Sequence, residues 1–361
     1  MKVFPDAGDA WTYVVLALLP VLSGWLLLRL ARGARRAGSS PSWPRLIGAN
    51  LLVLVFAAST AMLGIESYLR FGCDTTDSFA QTRVAQRWLQ RHWRLNSSGF
   101  RDSLRAYPTP RTTGQRRLTF IGDSFTAGYG VANVEDRFAN QIRNGGEAEV
   151  HVMAKLGFDT GDELNLVQAL AAQQYQFDEV VLVYNLNDLS DLDPDWKAVD
   201  QRINSTNSPG FLVEHSFLVN TYYYRLKARF EPDVSNYYQS IRKAYEGPIW
   251  DAQQRRLKNL RRLVETNGGH LLVVTFPFLH HLGPDYEFAS AHVKLDQFWQ
   301  ELGVPHLDLR PLYEAHRHEP LTVNSHDAHP NANAHTLAAA AIRDFVQQNA
   351  RADLHPPPHP P

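Results

Sequence analysis

Apolar residues fall along this chain in two different rhythms. Near the start they run unbroken: neither residues 11–28 nor residues 46–65 contain a charged side chain. Each run reaches the roughly 17 to 25 residues that a helix needs to cross a bilayer. The pattern predicts transmembrane helices over 11–30 and 46–66. Between them stand Arg29, Arg32, Arg35, Arg36 and Arg45, whereas the first residues set Lys2 against Asp6 and Asp9. Basic residues concentrate on the cytoplasmic side of short loops, so 31–45 is expected in the cytoplasm. Residues 1–10 and everything after Glu66 are then expected on the exported side. A cleaved signal peptide is the competing account of the first run, and its reversed charge bias argues against it.

From about residue 117 the second rhythm begins. Short β-branched and aromatic runs occupy 118–121, 150–153, 180–184, 271–276 and, more weakly, 306–309. Amphipathic runs follow or separate them at 138–143, 163–174, 252–265, 288–302 and 336–348. Apolar strands alternating with helices predict an α/β domain over 117–350, with a parallel sheet covered on both faces. The polar, tryptophan-bearing stretch 67–116 is expected as a juxtamembrane connection, with helical spacing over 81–94, a turn over 96–102, and Pro108 and Pro110 closing it. One departure from simple alternation is the stretch 189–250, an insertion that begins with Asp191, Asp193 and Asp195. It continues with Tyr222, Tyr223, Tyr224, Phe230, Tyr237, Tyr238 and Tyr245. Those rings would stack on a sugar, meet a membrane interface, or pack extra helices onto the domain. Residues 351–361 form a Pro-rich tail.

Composition narrows this picture only slightly. The 361 residues are 44% hydrophobic, enough for two membrane segments and one sizeable domain. A formal net charge of −1 gives no electrostatic reason to expect nucleic acid. Cys73 is the single cysteine, so no internal disulfide exists.

Chemistry concentrates at strand ends. The apolar run 118–121 stops at Gly122, and Asp123 and Ser124 begin a turn. That places the Ser124 hydroxyl in the crevice where α/β sheets hold ligands. Near the far end, Asp327 and His329 stand two residues apart in a loop before the last helix, with Pro330 after them and Asn331 or Asn333 to cap that helix. A serine nucleophile needs a base for its proton and a carboxylate to hold that base. A developing oxyanion needs donors, which the Gly157 N–H and the Asn187 amide offer from the loops after the second and third strands. His326, Asp327, His329, the pair His280 and His281, and the pair His316 and His318 are also zinc-ligand types. Zinc would leave Ser124 and Asn187 without a role. No metal or cofactor is expected.

These blocks resemble the SGNH hydrolases, also called GDSL esterases or lipases, in a bacterial, membrane-anchored form. The likeness spans Leu118 to Val346 and rests on Gly122, Asp123, Ser124 and Phe125, then Gly157, then Asn187 and Asp188, then Asp327 through Pro330. It implies a three-layer, flavodoxin-like α/β/α sheet, Ser124 as nucleophile, His329 as base and Asp327 as its partner. Ser124, Gly157 and Asn187 would form the oxyanion hole. Two positions depart from the family pattern. Asn185 stands where glycine is common and is expected to narrow the pocket, and His326 occupies the usual place of the acid, three residues before the histidine.

The function expected is ester hydrolysis through an acyl-enzyme, on an acyl group carried by envelope carbohydrate or lipid. The site would lie on the periplasmic side of a bacterial inner membrane. The alternatives are an O-acyltransferase acting on envelope polysaccharide with the same triad, and a catalytically silent binding or assembly module.

Overall fold

A computed structural model describes residues 6–37, 42–146, 148–197, 209–232 and 236–354. The expected N-terminal segment is therefore described only from residue 6, and the Pro-rich tail lies outside the described residues from 355 onward. Two compact units interleave along the sequence. One comprises Met1–Thr75, Ala80–Arg87 and Thr206–Glu231; the other comprises Thr76–Phe79, Trp88–Ser205 and Pro232–Pro361. The stretches 67–116 and 189–250 are thus each shared between the two units.

In the first unit two long helices, Ala7–Ala37 and Trp43–Ser67, pack side by side. Their outer surface is apolar, with Trp11 67% and Leu54 64% exposed. Both exceed the length that a bilayer span requires. The last turns of the second helix hold two further helices, Phe211–His215 and Phe217–Phe230. Buried Glu66 accepts hydrogen bonds from the Ser216 hydroxyl at 2.9 Å and from the backbone N–H groups of Phe217 at 3.2 Å and Leu218 at 2.7 Å. First-turn N–H groups have no partner within their own helix, and a carboxylate complements the positive end of the helix dipole. Glu66 therefore caps a helix that starts 151 residues later. Arg70 completes the junction by donating to Glu66 at 2.8 Å and to the His215 carbonyl at 2.7 Å.

The second unit is built on five parallel strands: β1 Arg117–Gly122, β2 Glu149–Ala154, β3 Glu179–Asn185, β4 His270–Phe276 and β5 His306–Asp308, in the order β2-β1-β3-β4-β5. Successive side chains of a strand point to opposite faces, so Val180, Leu182 and Tyr184 enter one core while Val181 and Val183 enter another. Helices Thr160–Ala172, Pro248–Thr266 and Ala289–Glu301 cover the first face. Phe138–Asn144 and Ala332–Leu354 cover the second. The result is a three-layer α/β/α sandwich. Each fully buried aliphatic side chain contributes about 1.5–3 kcal/mol, against about 1–2 kcal/mol of backbone entropy per ordered residue. That balance explains why the central strands are apolar on both faces. The winding reverses between β1 and β3, and the carboxyl ends of those two strands flank the crevice.

The last two strands were not expected. The segment before the last helix is a small antiparallel hairpin of β6 Thr322–Asn324 and β7 Asp327–Pro330, where the sequence suggested a loop. The Asn324 side chain accepts from the His326 N–H at 2.7 Å and closes the turn between them. Strands of three and four residues are too short for alternation to be visible in sequence.

Candidate active site

The site begins at a glycine that nothing larger can replace. A Cβ on Gly122 would lie 2.3 Å from the Thr126 hydroxyl oxygen and 2.7 Å from the Val183 carbonyl oxygen. The chain then turns sharply out of β1 into the short helix Ser124–Ala127. Asp123 caps that helix by accepting from the Phe125 N–H at 2.9 Å, and Gly128 ends it in the left-handed region with φ 73°. Buried Arg101 braces the turn from behind, donating to the carbonyls of Gly128 at 2.6 Å and Val131 at 2.5 Å. Burial and the neighbouring Arg137 pull its guanidinium down to about 9, against the opposing pull of Asp102. Ser124 is left partly exposed at the strand end.

Its hydroxyl lies 2.8 Å from Nε2 of His329, and Nδ1 of His329 lies 2.6 Å from Oδ1 of Asp327. A carboxylate can only accept, so the Nδ1–H donates to Asp327 and leaves Nε2 as the acceptor for the Ser124 proton. The same Asp327 oxygen accepts from the His329 N–H at 3.1 Å. Thr76 donates its hydroxyl to the other oxygen, Oδ2. Phe125 and Tyr129 pack their rings on the imidazole at centroid distances of 5.2 and 4.9 Å. Burial alone would push the His329 imidazole down, but the charge and hydrogen bond of Asp327 outweigh it and hold the imidazole above its ordinary value. Burial would likewise raise the Asp327 carboxyl. His329 and the Thr76 hydrogen bond hold it below the usual carboxylate range.

The structure therefore brings Ser124, His329 and Asp327 into one hydrogen-bonded line. Asn187 lies in the turn after β3, partly exposed, with its amide beside the Tyr237 hydroxyl. Gly157 lies in an exposed turn after β2 with φ 70°, and a Cβ there would meet nothing within 4 Å. Asn185 does not narrow the crevice: it is buried, and its amide donates to Asp123 Oδ2 at 3.1 Å. The Asp123 cap is thereby tied to the end of β3. Several contributors were not expected at this site. Thr76 and Arg101 come from the polar stretch before β1. Tyr238 and His280 come from the insertion and the turn after β4, their rings tilted against each other at a centroid distance of 4.6 Å, and the charges of Asp327 and His329 reach them respectively. Burial, then His281 and His329, push the His280 imidazole down to about 3, so it stays neutral beside the relay.

Beneath the crevice sit two enclosed carboxyls, Glu163 and Asp188. Burial pushes both well above their ordinary values; the charge of Asp123 adds to the rise of Glu163, and that of Glu163 to the rise of Asp188. A raised carboxyl contributes stability that is fully present below its ordinary value and is lost as the pH climbs toward the folded-state value. Glu163→Gln keeps the shape without the charge. The variant is expected to gain stability relative to the parent as the pH rises above the ordinary carboxylate range, read as a melting temperature that falls less with rising pH. Parallel curves for the two proteins would show that Glu163 does not titrate there.

No protein-family model matches the chain, and no curated protein sequence matches it. Among solved structures it is similar to TesA, at 12% identity over 64% of this chain and 99% of that one, with a TM-score of 0.40. A member of the lipolytic protein G-D-S-L family from Veillonella parvula is 13% identical over 63% of this chain and 97% of that one, with a TM-score of 0.40. The psychrotrophic esterase EstA from Pseudoalteromonas sp. is 15% identical over 65% of this chain and 99% of that one, with a TM-score of 0.39.

Proposed function

We propose that this chain is a membrane-anchored serine esterase of the SGNH type, acting on an acyl ester through a covalent intermediate. The observation that carries this reading is the line Ser124, His329, Asp327 at the carboxyl end of β1. His329 Nε2 takes the Ser124 proton as the oxygen attacks the ester carbonyl, and the resulting imidazolium is stabilised by Asp327. Collapse of the tetrahedral intermediate breaks the bond to the leaving alcohol, which receives that proton from His329. Water, deprotonated by the same imidazole, then attacks the acyl-serine and releases the acid and Ser124. The Ser124 and Gly157 N–H groups and the Asn187 amide are the donors proposed for the oxyanion.

The proposal places the two apolar helices of the first unit across a membrane, with Arg29, Arg32, Arg35 and Arg36 at the cytoplasmic end. The relay then belongs to the exported side of a bacterial inner membrane, where acylated carbohydrate or lipid would be its substrate.

The direct test incubates the full chain in detergent with p-nitrophenyl esters of increasing acyl length and with a fluorophosphonate probe. Turnover together with labelling of Ser124 supports the esterase, and the chain-length profile sizes the acyl pocket. A chain that neither labels nor turns over any ester sinks it. Thr76→Val tests the support of the relay. A hydrogen bond to a charged group is worth about 1.5–3 kcal/mol, so kcat/KM is expected to fall roughly ten- to a hundredfold. An unchanged kcat/KM would show that Asp327 needs no donor at Oδ2.

A further inference from the structure

Helix Phe217–Phe230 wears its apolar residues on the wrong side for a soluble protein. Its inner face buries Phe217, Leu218, Asn220 and Thr221. At 100° per residue, Val219, Tyr222, Tyr223, Leu226 and Phe230 line up on the opposite face. Tyr222 is 51% exposed, Leu226 53% and Phe230 70%. Lys227 flanks this stripe on one side, and Arg225 and Arg229 on the other. An apolar stripe edged by cations is the signature of a helix that lies in a membrane interface, rings and aliphatic groups down and basic groups among the headgroups.

We infer that this helix lies flat on the membrane surface and binds anionic phospholipid headgroups. Two observations favour a bilayer over another occupant. Its first turn is locked to Glu66, at the last turn of the second apolar helix, so it starts at the depth where the chain leaves the hydrocarbon. Its charges are positive along both edges of the stripe, complementary to anionic lipid. Phe211 and Leu212, in the short helix just before it, are likewise exposed, at 56% and 58%. The tyrosines of the insertion therefore separate by environment. Tyr222 and Tyr223 face outward, whereas Tyr245 is buried in the α/β core.

The inference rests on the membrane anchoring proposed above, and the test separates the two. The full chain carrying Cys73→Ser is reconstituted in nanodiscs of phosphatidylcholine with a stepped fraction of phosphatidylglycerol. A nitroxide is attached through Leu226→Cys, through Leu18→Cys on the first apolar helix, or through Gln300→Cys on the α/β unit. Collision with oxygen and with a water-soluble nickel chelate reports depth. The Leu226 label is expected to favour oxygen several-fold over the Gln300 label, and more so as phosphatidylglycerol increases. Arg225→Gln, Lys227→Gln and Arg229→Gln together are expected to erase that lipid dependence. A Leu226 label that behaves like the Gln300 label, while the Leu18 label reads hydrocarbon, overturns the inference and leaves the anchoring intact. A Leu226 label shielded from both probes indicates a protein partner and overturns it too. A Leu18 label open to the nickel chelate removes the anchoring and the inference with it.

Discussion

Ser124→Ala is expected to lower ester hydrolysis by roughly five to six orders of magnitude, with the melting temperature of the full chain changed by less than about 2 °C. The two halves of that expectation have separate causes. The hydroxyl's polar partner is His329 Nε2, at 2.8 Å, and Ser124 is partly exposed, so water can replace the lost hydrogen bond. The turn itself depends on Gly122, the Asp123 cap and Arg101, none of which the substitution touches. Fluorophosphonate labelling is expected to disappear together with turnover. A variant that keeps activity within tenfold of the parent, or still labels, would place the nucleophile at another residue.

Asp327→Asn is expected to lower kcat by roughly four orders of magnitude and to move the acid limb of the kcat/KM profile to lower pH. The direction follows from opposing effects on the imidazole. Burial pushes the His329 imidazole down, and the Asp327 charge and hydrogen bond lift it above its ordinary value. Because the base must be neutral to accept the Ser124 proton, kcat/KM in the parent rises only as pH passes that raised value. An asparagine removes the lifting charge but not the burial, so the residual activity titrates at lower pH. Asparagine can also present its NH₂ to Nδ1 and fix the opposite tautomer, which blocks Nε2 as acceptor. An acid limb that stays in place would mean that a group other than Asp327 sets the basicity of His329.

The parts of this arrangement visible in sequence were those whose signal is local. An apolar run ending in Gly122, Asp123 and Ser124 announces a strand and a turn within a few residues, and Asp327 with His329 forms a short pair beside a proline. The parts that were not visible are set by the fold. Thr76 reaches Asp327 across 251 residues, and nothing about a threonine in a polar stretch marks it for that partner. Arg101 reads as one more surface cation until the backbone carbonyls it collects are brought beside it. Asn185 was expected to crowd the pocket because side-chain size is legible in sequence and direction is not. The pleat turns its amide to Asp123 instead. The tyrosines of residues 189–250 are chemically alike in sequence, and only the fold parts them by environment, Tyr222 exposed at 51% and Tyr245 buried.

The line from Thr76 through Asp327 and His329 to Ser124 also sets a schedule for the ribosome. Thr76 and Ser124 are made early, whereas His329, whose Nε2 stands 2.8 Å from the serine hydroxyl, lies 205 residues further on. On the proposed mechanism, a chain not yet made as far as His329 holds its serine without a base, and contacts of such long range close late in folding. On that mechanism, a chain that stops short of the final hairpin would be unable to attack the acyl groups around it, and competence would arrive only once that hairpin is made.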